Sequence, residues 1–165
     1  MSGPRFPEGW SIEALDKSHP RRKFKSGNSD VDEWLTKSAL QSQKKRLTTT
    51  KVLLDETRQI VGYYSLAFSE VDFSDLPADL VKKLPRRQLP VGVLAWLGVD
   101  RSFQGRGIGQ RLLATSLLDC YEASQTFAFI AVILVCVDDH AKQFYQQFDF
   151  RELPGYPMRL YLPFK

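Results

Sequence analysis

The residues best suited to chemistry form a glycine-punctuated loop and the start of the segment after it, Gln104 to Arg111. The apolar run Val91–Val99 predicts a buried strand before the loop, and apolar residues recur at helical spacing from Ile108 onward. Glycines let a backbone approach a ligand closely, and the first amides of a helix lack partners within it. This arrangement predicts a cradle for a phosphate or pyrophosphate, with Arg106 adding positive charge. The alternative is a tight turn whose glycines serve only packing.

The spacing of the loop excludes two common phosphate-binding motifs. A Walker loop needs Lys and then Ser or Thr after its last glycine, whereas Gln110 and Arg111 follow Gly109. The dinucleotide fingerprint has a different glycine spacing and an acidic residue about 20 positions on, at the end of the next strand. Glu122, the nearest acid, lies on or just past the predicted helix. The remaining pattern is Q-x-x-G-x-G.

A second candidate is Tyr145, in the segment Ala141-Lys142-Gln143-Phe144-Tyr145. A phenol with a pKa near 10 is protonated at neutral pH, so it can donate a proton to a leaving group. Its neighbour Phe144 and the amphipathic pattern equally allow an aromatic residue of the core. From the residues alone both interpretations stay open.

A general base is harder to find. The central apolar strand has no carboxylate or histidine; Glu70 and Asp72 are the nearest candidates, and His140 is more distant. A lysine amine, with a pKa near 10.4, needs a base, whereas an α-amino group with a pKa near 8 is already partly neutral. The weak evidence for a base therefore favours an α-amine as acceptor in any reaction on an amine.

Composition predicts one compact cytoplasmic domain over residues 1–165, with residues 1–8 as a flexible end. The hydrophobic fraction is 43% and the net charge +4, which mildly favours a polyanionic partner. No uncharged apolar run is long enough for a membrane span, and no secretory pattern is present. Cys120 and Cys136 are predicted to be buried free thiols, and no metal site is expected.

The order of elements predicts an α+β fold in which a mixed sheet carries helices on both faces. Residues 28–46 are predicted to form a helix with Asn28 or Ser29 as its cap. Residues 74–84 form a short helix, and residues 141–148 another. The predicted strands are residues 10–15, 48–54, 60–71, 91–99, 127–137 (covered on both faces), 150–153 and 158–162.

The Q-x-x-G-x-G loop together with the A-x-x-F-Y segment resembles the GNAT superfamily of N-acetyltransferases. The resemblance implies a mostly antiparallel sheet whose central strands splay to admit acetyl-CoA, with Tyr145 as general acid toward the coenzyme A sulfur. Backbone groups of Leu97, Gly98 and Val99 would line the thioester and pantetheine. The pyrophosphate would be held by Gln104, Gly105, Arg106, Gly107, Ile108 and Gly109.

Within the superfamily, the closest resemblance is to TacT-like toxins. It lies in Phe24–Gly27 with Asp32–Leu35, in Val61–Ala67 and in Leu94–Asp100. It implies acetylation of the α-amine of aminoacyl-tRNA, a ribbon-helix-helix antitoxin and a homodimer. The candidate contacts to RNA or substrate are Arg21, Arg22, Lys23, Lys44, Lys45, Arg46 and Trp96.

Three positions depart from the family pattern, and two other functions stay open. Trp96 stands where such toxins often have a basic residue, Asp138 where many members have Asn, and Asp149 where Gly is usual. The basic clusters could equally be solvated surface. The alternative functions are an acetyltransferase for a protein N-terminus, polyamine or small amine, and a non-catalytic module that binds coenzyme A or RNA.

Overall fold

A computed structural model of the protein describes residues 3–164. Its strands are β1 (Ser11–Ala14), β2 (Thr49–Leu54), β3 (Ile60–Asp72), β4 (Gln88–Val99), β5 (Ala131–Val135), β6 (Arg151–Leu153) and β7 (Tyr156–Pro163). Its α-helices are α1 (Ser29–Glu33), α2 (Ala39–Lys44), α3 (Ala78–Val81), α4 (Ile108–Ser124) and α5 (Asp139–Gln146). A π-helical turn, Trp34–Ser38, joins α1 to α2, and three 3₁₀ turns cover Arg21–Lys23, Phe73–Asp75 and Arg101–Phe103.

The seven strands form one sheet in the order β1-β2-β3-β4-β5-β7-β6. β1 pairs with β2, β2 with β3, β5 with β7 and β6 with β7, each antiparallel. β4 and β5 pair in parallel at Gly92–Val132 and Val93–Ile133. The predicted class, a mixed and mostly antiparallel α+β fold with flanking helices, is confirmed.

Two compact units divide the described chain. The first holds residues 3–67 and Leu94–Asp119, and the second holds Phe68–Val93 and residues 120–164. In the first, α1 and the π-turn bury Val31 and Leu35 against the apolar faces of β2 and β3. In the second, Ile133 and Tyr161 of the sheet pack with Leu76 and Val81 of the α3 region. Both cores follow from apolar residues at strand and helix periods.

The helical segment after residue 28 begins and ends by local chemistry. Asn28 Oδ1 accepts from the amides of Asp30 (3.0 Å) and Val31 (3.2 Å), so Asn28 rather than Ser29 is the N-cap. At the other end Leu47 N donates to Ser42 O and Arg46 N to Gln43 O, which is a Schellman motif. The π-turn inside the segment was not expected.

The second unit differs from prediction in two places. The strand expected over residues 127–137 is shorter and covers only β5, which is buried on both faces from Ala131 to Leu134, as predicted, and exposed at Val135. Phe127 N instead donates to Ala123 O at the end of α4, and the Phe127 ring packs against Phe68. The helix expected over residues 74–84 is a 3₁₀ turn followed by the single turn α3, since Pro77 separates the two and Pro85 lies just beyond them.

Both cysteines are buried free thiols, as predicted, although Cys136 lies just after β5 rather than within a strand. Of the flexible end expected over residues 1–8, residues 1 and 2 lie outside the described part, and residues 3–8 form neither helix nor strand. No helix within residues 3–164 is long and apolar enough to span a membrane.

Candidate active site

The loop after β4 is held in place by two side chains within the first unit. Asp100 accepts from Lys25 N and Ser102 N, both at 3.0 Å, so it caps the 3₁₀ turn and ties it to the segment before α1. Gln104 Nε2 donates to Ser26 O (2.6 Å) and Val99 O (2.9 Å). The Gln104 side chain therefore fixes the loop, while the backbone of Gln104 belongs to the exposed stretch that continues to Gly107.

The glycines of the loop meet the requirements of an anion cradle. Gly105 has φ +79° and Gly107 φ +77°, a conformation that favours glycine over residues with a side chain. Apart from the glycine and its chain neighbours, no atom of residues 3–164 lies within 4 Å of the place where a Cβ would stand on either residue, so packing does not require glycine here. The loop faces open space where α4, a helix of 17 residues, begins at Ile108. The geometry supports the cradle over the packed turn.

Positive charge lies on the same loop. The Arg106 guanidinium stands over the Phe103 ring, with Cζ 5.4 Å from the ring centroid, and both Arg106 and Arg111 are exposed. Arg111 N donates to Gly107 O in the first turn of α4, while Ile108 is buried and anchors the helix start. Amides of this turn and two mobile guanidinium groups suit a pyrophosphate.

The end of β4 is packed tightly at Gly98. A Cβ there would lie 2.5 Å from Val31 Cγ1 and 3.3 Å from Phe24 Cζ, so only glycine lets β4 approach α1 so closely. Leu97 and Val99 are half-buried, and the Val99 carbonyl is taken by Gln104. The backbone at Leu97–Val99 is thus held rigidly, as preorganised hydrogen-bonding groups require.

Tyr145 lies on α5 in the second unit and is 8% exposed. Its ring packs edge-on against Phe144 (centroids 5.3 Å apart) and Phe150 (5.7 Å). The Tyr145 hydroxyl makes no hydrogen bond within residues 3–164. Every fully buried side-chain oxygen of those residues has a hydrogen-bond partner, so the Tyr145 hydroxyl is not fully buried. Burial, and then the charge of nearby Cys136, raise the pKa of Tyr145 above its ordinary value of 10. The phenol is therefore a protonated donor at neutral pH.

Trp96 lies on β4 and stacks on Trp34, with ring centroids 5.5 Å apart and planes 15° from parallel. Trp34 Nε1 donates to Ser65 Oγ at 2.9 Å. Both indoles are half-buried at the edge of the first core. The sequence singled out Trp96 but gave no signal for its partner.

The predicted basic clusters lie on the surface of the first unit. Arg21, Arg22 and Lys23 form a 3₁₀ turn that packs beside the π-turn, and Lys44, Lys45 and Arg46 end the same helical segment. Within residues 3–164 none of the six forms an ion pair with an acidic side chain. Their charges are therefore open to an external anion.

The acidic candidates for a general base are poorly suited. Asp72 accepts hydrogen bonds from Ser74 N, Ser74 Oγ and Gln88 Nε2, so it is the cap of a 3₁₀ turn. These hydrogen bonds, mainly those from Ser74, lower the pKa of Asp72. Glu70 is exposed on β3, and His140 is exposed on α5. Asp138 is the N-cap of α5, its Oδ1 accepting from Ala141 N at 2.8 Å. The described residues add no better base.

Comparison with known proteins identifies the family. The acetyltransferase (GNAT) domain matches residues 48–152. The chain belongs to the GNAT acetyltransferase family. A "tRNA-acetylating toxin" of Mycobacterium tuberculosis is 34% identical over 142 residues, 86% of this chain and 84% of that protein. A "probable toxin TacT" of Sinorhizobium fredii is 26% identical over 92% of this chain and 90% of its own length. The structure of AtaT complexed with acetyl-methionyl-tRNAfMet is 27% identical, with a TM-score of 0.86 over 93% of this chain and 94% of that one.

As a GNAT acetyltransferase, the protein uses acetyl-CoA, and its residues fit this cofactor. The fit rests on the two positive-φ glycines facing open space and on the exposed guanidinium groups beside them. Sequence reasoning missed the groups that shape this GNAT loop: the Asp100 carboxylate, the side-chain amide of Gln104 and the Ser26 backbone carbonyl that accepts from it. A short Asp-x-Ser pattern after the strand, typical of a cap, was the available signal for Asp100.

Proposed function

We propose that the protein acetylates the α-amine of aminoacyl-tRNA and acts as the toxin of a toxin–antitoxin pair. The observation that carries this proposal is the set of basic side chains that pair with no acidic side chain of residues 3–164 and that lie in the same compact unit as the open glycine loop. A relative 34% identical is named a tRNA-acetylating toxin, and a GNAT neighbour was solved with acetyl-methionyl-tRNA, which agrees with this substrate.

Each part of the chain has a task in this reaction. Acetyl-CoA supplies the activated acetyl group. The amides of Gln104–Gly109 and the Arg106 guanidinium bind its pyrophosphate, and the rigid backbone of Leu97–Val99 binds the pantetheine and thioester. Tyr145 holds a proton on Oη, which its raised pKa keeps there at neutral pH, and donates it to the departing sulfur.

The acceptor is proposed to be an α-amine because no described residue is well suited to deprotonate a lysine. Asp72 is fixed as a cap with a lowered pKa, so it is a weak base. An α-amino group with a pKa near 8 is partly neutral at pH 7 without help, whereas a lysine amine near 10.4 is not. An aminoacyl ester presents such an α-amine.

The six basic side chains at residues 21–23 and 44–46 are proposed to contact tRNA phosphates. RNA contacts of this kind weaken steeply as salt rises, because binding releases counterions. Reversing Lys44, Lys45 and Arg46 to Glu is expected to raise the KM for tRNA by about tenfold or more and to leave acetyl-CoA affinity unchanged.

The decisive experiment incubates the protein with acetyl-CoA and a set of charged tRNAs and detects acetylated aminoacyl-tRNA by mass spectrometry. Tyr145→Phe is the catalytic control, since it keeps the ring packing and removes the proton. Turnover of free polyamines or N-terminal peptides without any acetylated aminoacyl-tRNA would replace this function with the small-amine one. Coenzyme A binding with no turnover of either kind would indicate a non-catalytic module.

A homodimer is proposed from an aromatic surface in the second unit. Phe68, Phe127 and Tyr121 are 60%, 68% and 45% exposed, and their rings join through Phe129 and Phe164. An apolar patch of this kind marks an interaction site, and a two-fold dimer would bury the patch of one copy against the same patch of the other. Light scattering should show a dimer that Phe127→Ser dissociates and that Tyr156→Ser, at another exposed aromatic, leaves intact.

The toxin assignment also implies an antitoxin, proposed to be of the ribbon-helix-helix type, and action in the cytoplasm, where tRNAs are charged. Expression of the protein alone should arrest growth, and Tyr145→Phe should relieve the arrest. A small ribbon-helix-helix gene directly upstream, whose product co-purifies with the protein, would support the partner. Growth arrest that persists in Tyr145→Phe would contradict the enzymatic toxin.

A further inference from the structure

The stacked tryptophans Trp34 and Trp96 have no task in the function described so far. Large apolar side chains usually complete a core; both indoles pack against the first core but stay half-buried at its edge, whereas Leu35 and Tyr63 of that core are 0% exposed. A near-parallel pair with centroids 5.5 Å apart is a stable flat surface. Such a surface at the rim of a core is suited to contact with a ligand.

The orientation of the pair is fixed by buried hydroxyl groups. Trp34 Nε1 donates to Ser65 Oγ, and Ser65 Oγ lies 2.6 Å from Thr50 Oγ1. Ser65 and Thr50 are 0% and 1% exposed, so this short chain of hydrogen bonds is inside the protein. A buried hydrogen bond to the indole edge restricts ring rotation, which makes the surface preorganised.

The helical segment is also irregular at this place. Trp34 is the first residue of the π-turn, and Thr36 Oγ1 donates back to Asp32 O at 3.0 Å. A π-turn adds a residue to a helix and so rotates the neighbouring side chains away from their regular positions. Such turns occur often at functional sites. The π-turn therefore sets the direction in which Trp34 projects.

Trp96 is adjacent in sequence to the backbone proposed to bind the thioester, Leu97–Val99. Successive residues of a strand are about 3.3 Å apart, so the backbone that carries the indole lies about 3 to 10 Å from those residues. Trp96 shares a strand face with Gly98, whose missing Cβ would touch Val31 of α1. The pair thus lies on the helix-covered face of β4, beside the point where the acyl group would be transferred.

We infer that Trp34 and Trp96 form the surface that receives the side chain of the aminoacyl acceptor and that selects an uncharged, apolar one. This inference rests on the proposed function. The α-carbon next to the reacting amine carries the amino-acid side chain, so a surface beside the transfer point meets that side chain first. The nearby charged residues Glu33 and Lys37 pair with each other at 3.6 Å and are more than half exposed. A carboxylate on the indoles would therefore lose water and meet the negative faces of the rings. An ammonium group would also lose water, and a cation–π contact with the indoles would offset that loss only in part.

The test measures kcat/KM for one tRNA body charged in turn with methionine, phenylalanine, aspartate or lysine. For the wild-type protein we expect methionine and phenylalanine to exceed aspartate and lysine by about tenfold or more. Trp96→Phe should keep this ratio, and Trp96→Ala should reduce it by a similar factor. Tyr156→Ala, which removes an exposed ring from β7 in the second unit, is the matched control and should keep the ratio.

Two further measurements keep the outcomes separate. Acetyl-CoA affinity and the far-ultraviolet exciton signal of the indole pair show whether each variant is folded and whether the stack is lost. If Trp96→Ala binds acetyl-CoA normally and keeps the wild-type ratio, or if the wild-type protein shows no preference for apolar groups, the inference is wrong and the proposed function stands. If the wild-type protein acetylates no charged tRNA, the inference and the proposed function are both wrong.

Discussion

At the scale of single residues, the two positive-φ glycines of the loop give the sharpest test of cofactor binding. Gly107→Ala is expected to cost about 1 kcal/mol of stability, because alanine is strained at φ +77°. It should also weaken acetyl-CoA binding, since the added methyl occupies the open side of the loop. Calorimetric titration with acetyl-CoA measures the second effect.

Gly155→Ala is the matched control for that variant. Gly155 has φ +79° and open space around it, but it lies in the turn between β6 and β7. The same strain should lower its melting temperature by a similar amount with acetyl-CoA affinity unchanged. Equal losses of affinity in both variants would contradict a cradle at the loop.

The pH dependence of kcat tests the role of Tyr145. Burial raises the pKa of its phenol above 10, so the proton stays on Oη at every pH below that value. We expect kcat to show no descending limb between pH 7 and 9, and Tyr145→Phe to lower kcat by about 10² to 10⁴ across that range. A descending limb that disappears in Tyr145→Phe would mean that the phenol ionises in this range, contrary to its burial.

At the scale of elements, the 3₁₀ turn after β4 explains how the loop is aimed. Asp100→Ala removes acceptors for Lys25 N and Ser102 N, and we expect a loss of about 1 kcal/mol in stability together with weaker acetyl-CoA binding. Asp72 caps the 3₁₀ turn after β3 in the same way, through Ser74 N. Asp72→Ala should cost similar stability and leave acetyl-CoA affinity unchanged, as thermal melts and titrations would show. Weaker acetyl-CoA binding in both variants would indicate a global effect.

The sequence predicted most elements, because strong periodicity and local caps decide them. The strand before the loop, α4 and the hairpin of β2 and β3 were predicted within a few residues. The strand predicted over residues 127–137 is buried on both faces but was predicted too long, because the apolar residues before it, which build the exposed aromatic cluster, look like those of a buried strand.

The candidate site was predictable only where a motif is local. The Q-x-x-G-x-G loop was found from its spacing, but the acceptors of the Gln104 amide, Ser26 O and Val99 O, lie 78 and 5 positions away. The Trp34–Trp96 pair likewise joins residues of distant segments and depends on a π-turn that no residue pattern indicates. Contacts set by tertiary packing leave no local signal.

At the scale of the whole molecule, the net charge of +4 includes two unpaired clusters in the first unit. Positive charge at Lys44–Arg46 suits the C-terminus of a helix, which alone could explain it. The Schellman motif, however, places Arg46 at φ +61°, where glycine is preferred. A charged residue that breaks a local rule favours a functional explanation such as contact with a polyanion. That the whole chain forms one acetyltransferase domain stays a prediction.

Acid stability depends on the start of the chain, where Glu13 of β1 joins the turn at Arg58. Hydrogen bonds from Arg58 and then His19 lower the pKa of Glu13 from 4.5 to about 2. Between these values the unfolded chain binds more protons than the folded one, so the free energy of unfolding falls as pH falls. Glu13→Gln should reduce stability at pH 7 and flatten its decline between pH 4.5 and 2, as urea unfolding at several pH values would show. The Glu13–Arg58 pair anchors β1 to the β2–β3 turn. If Glu13→Gln leaves the loss of stability between pH 4.5 and 2 unchanged, other carboxylates govern acid unfolding.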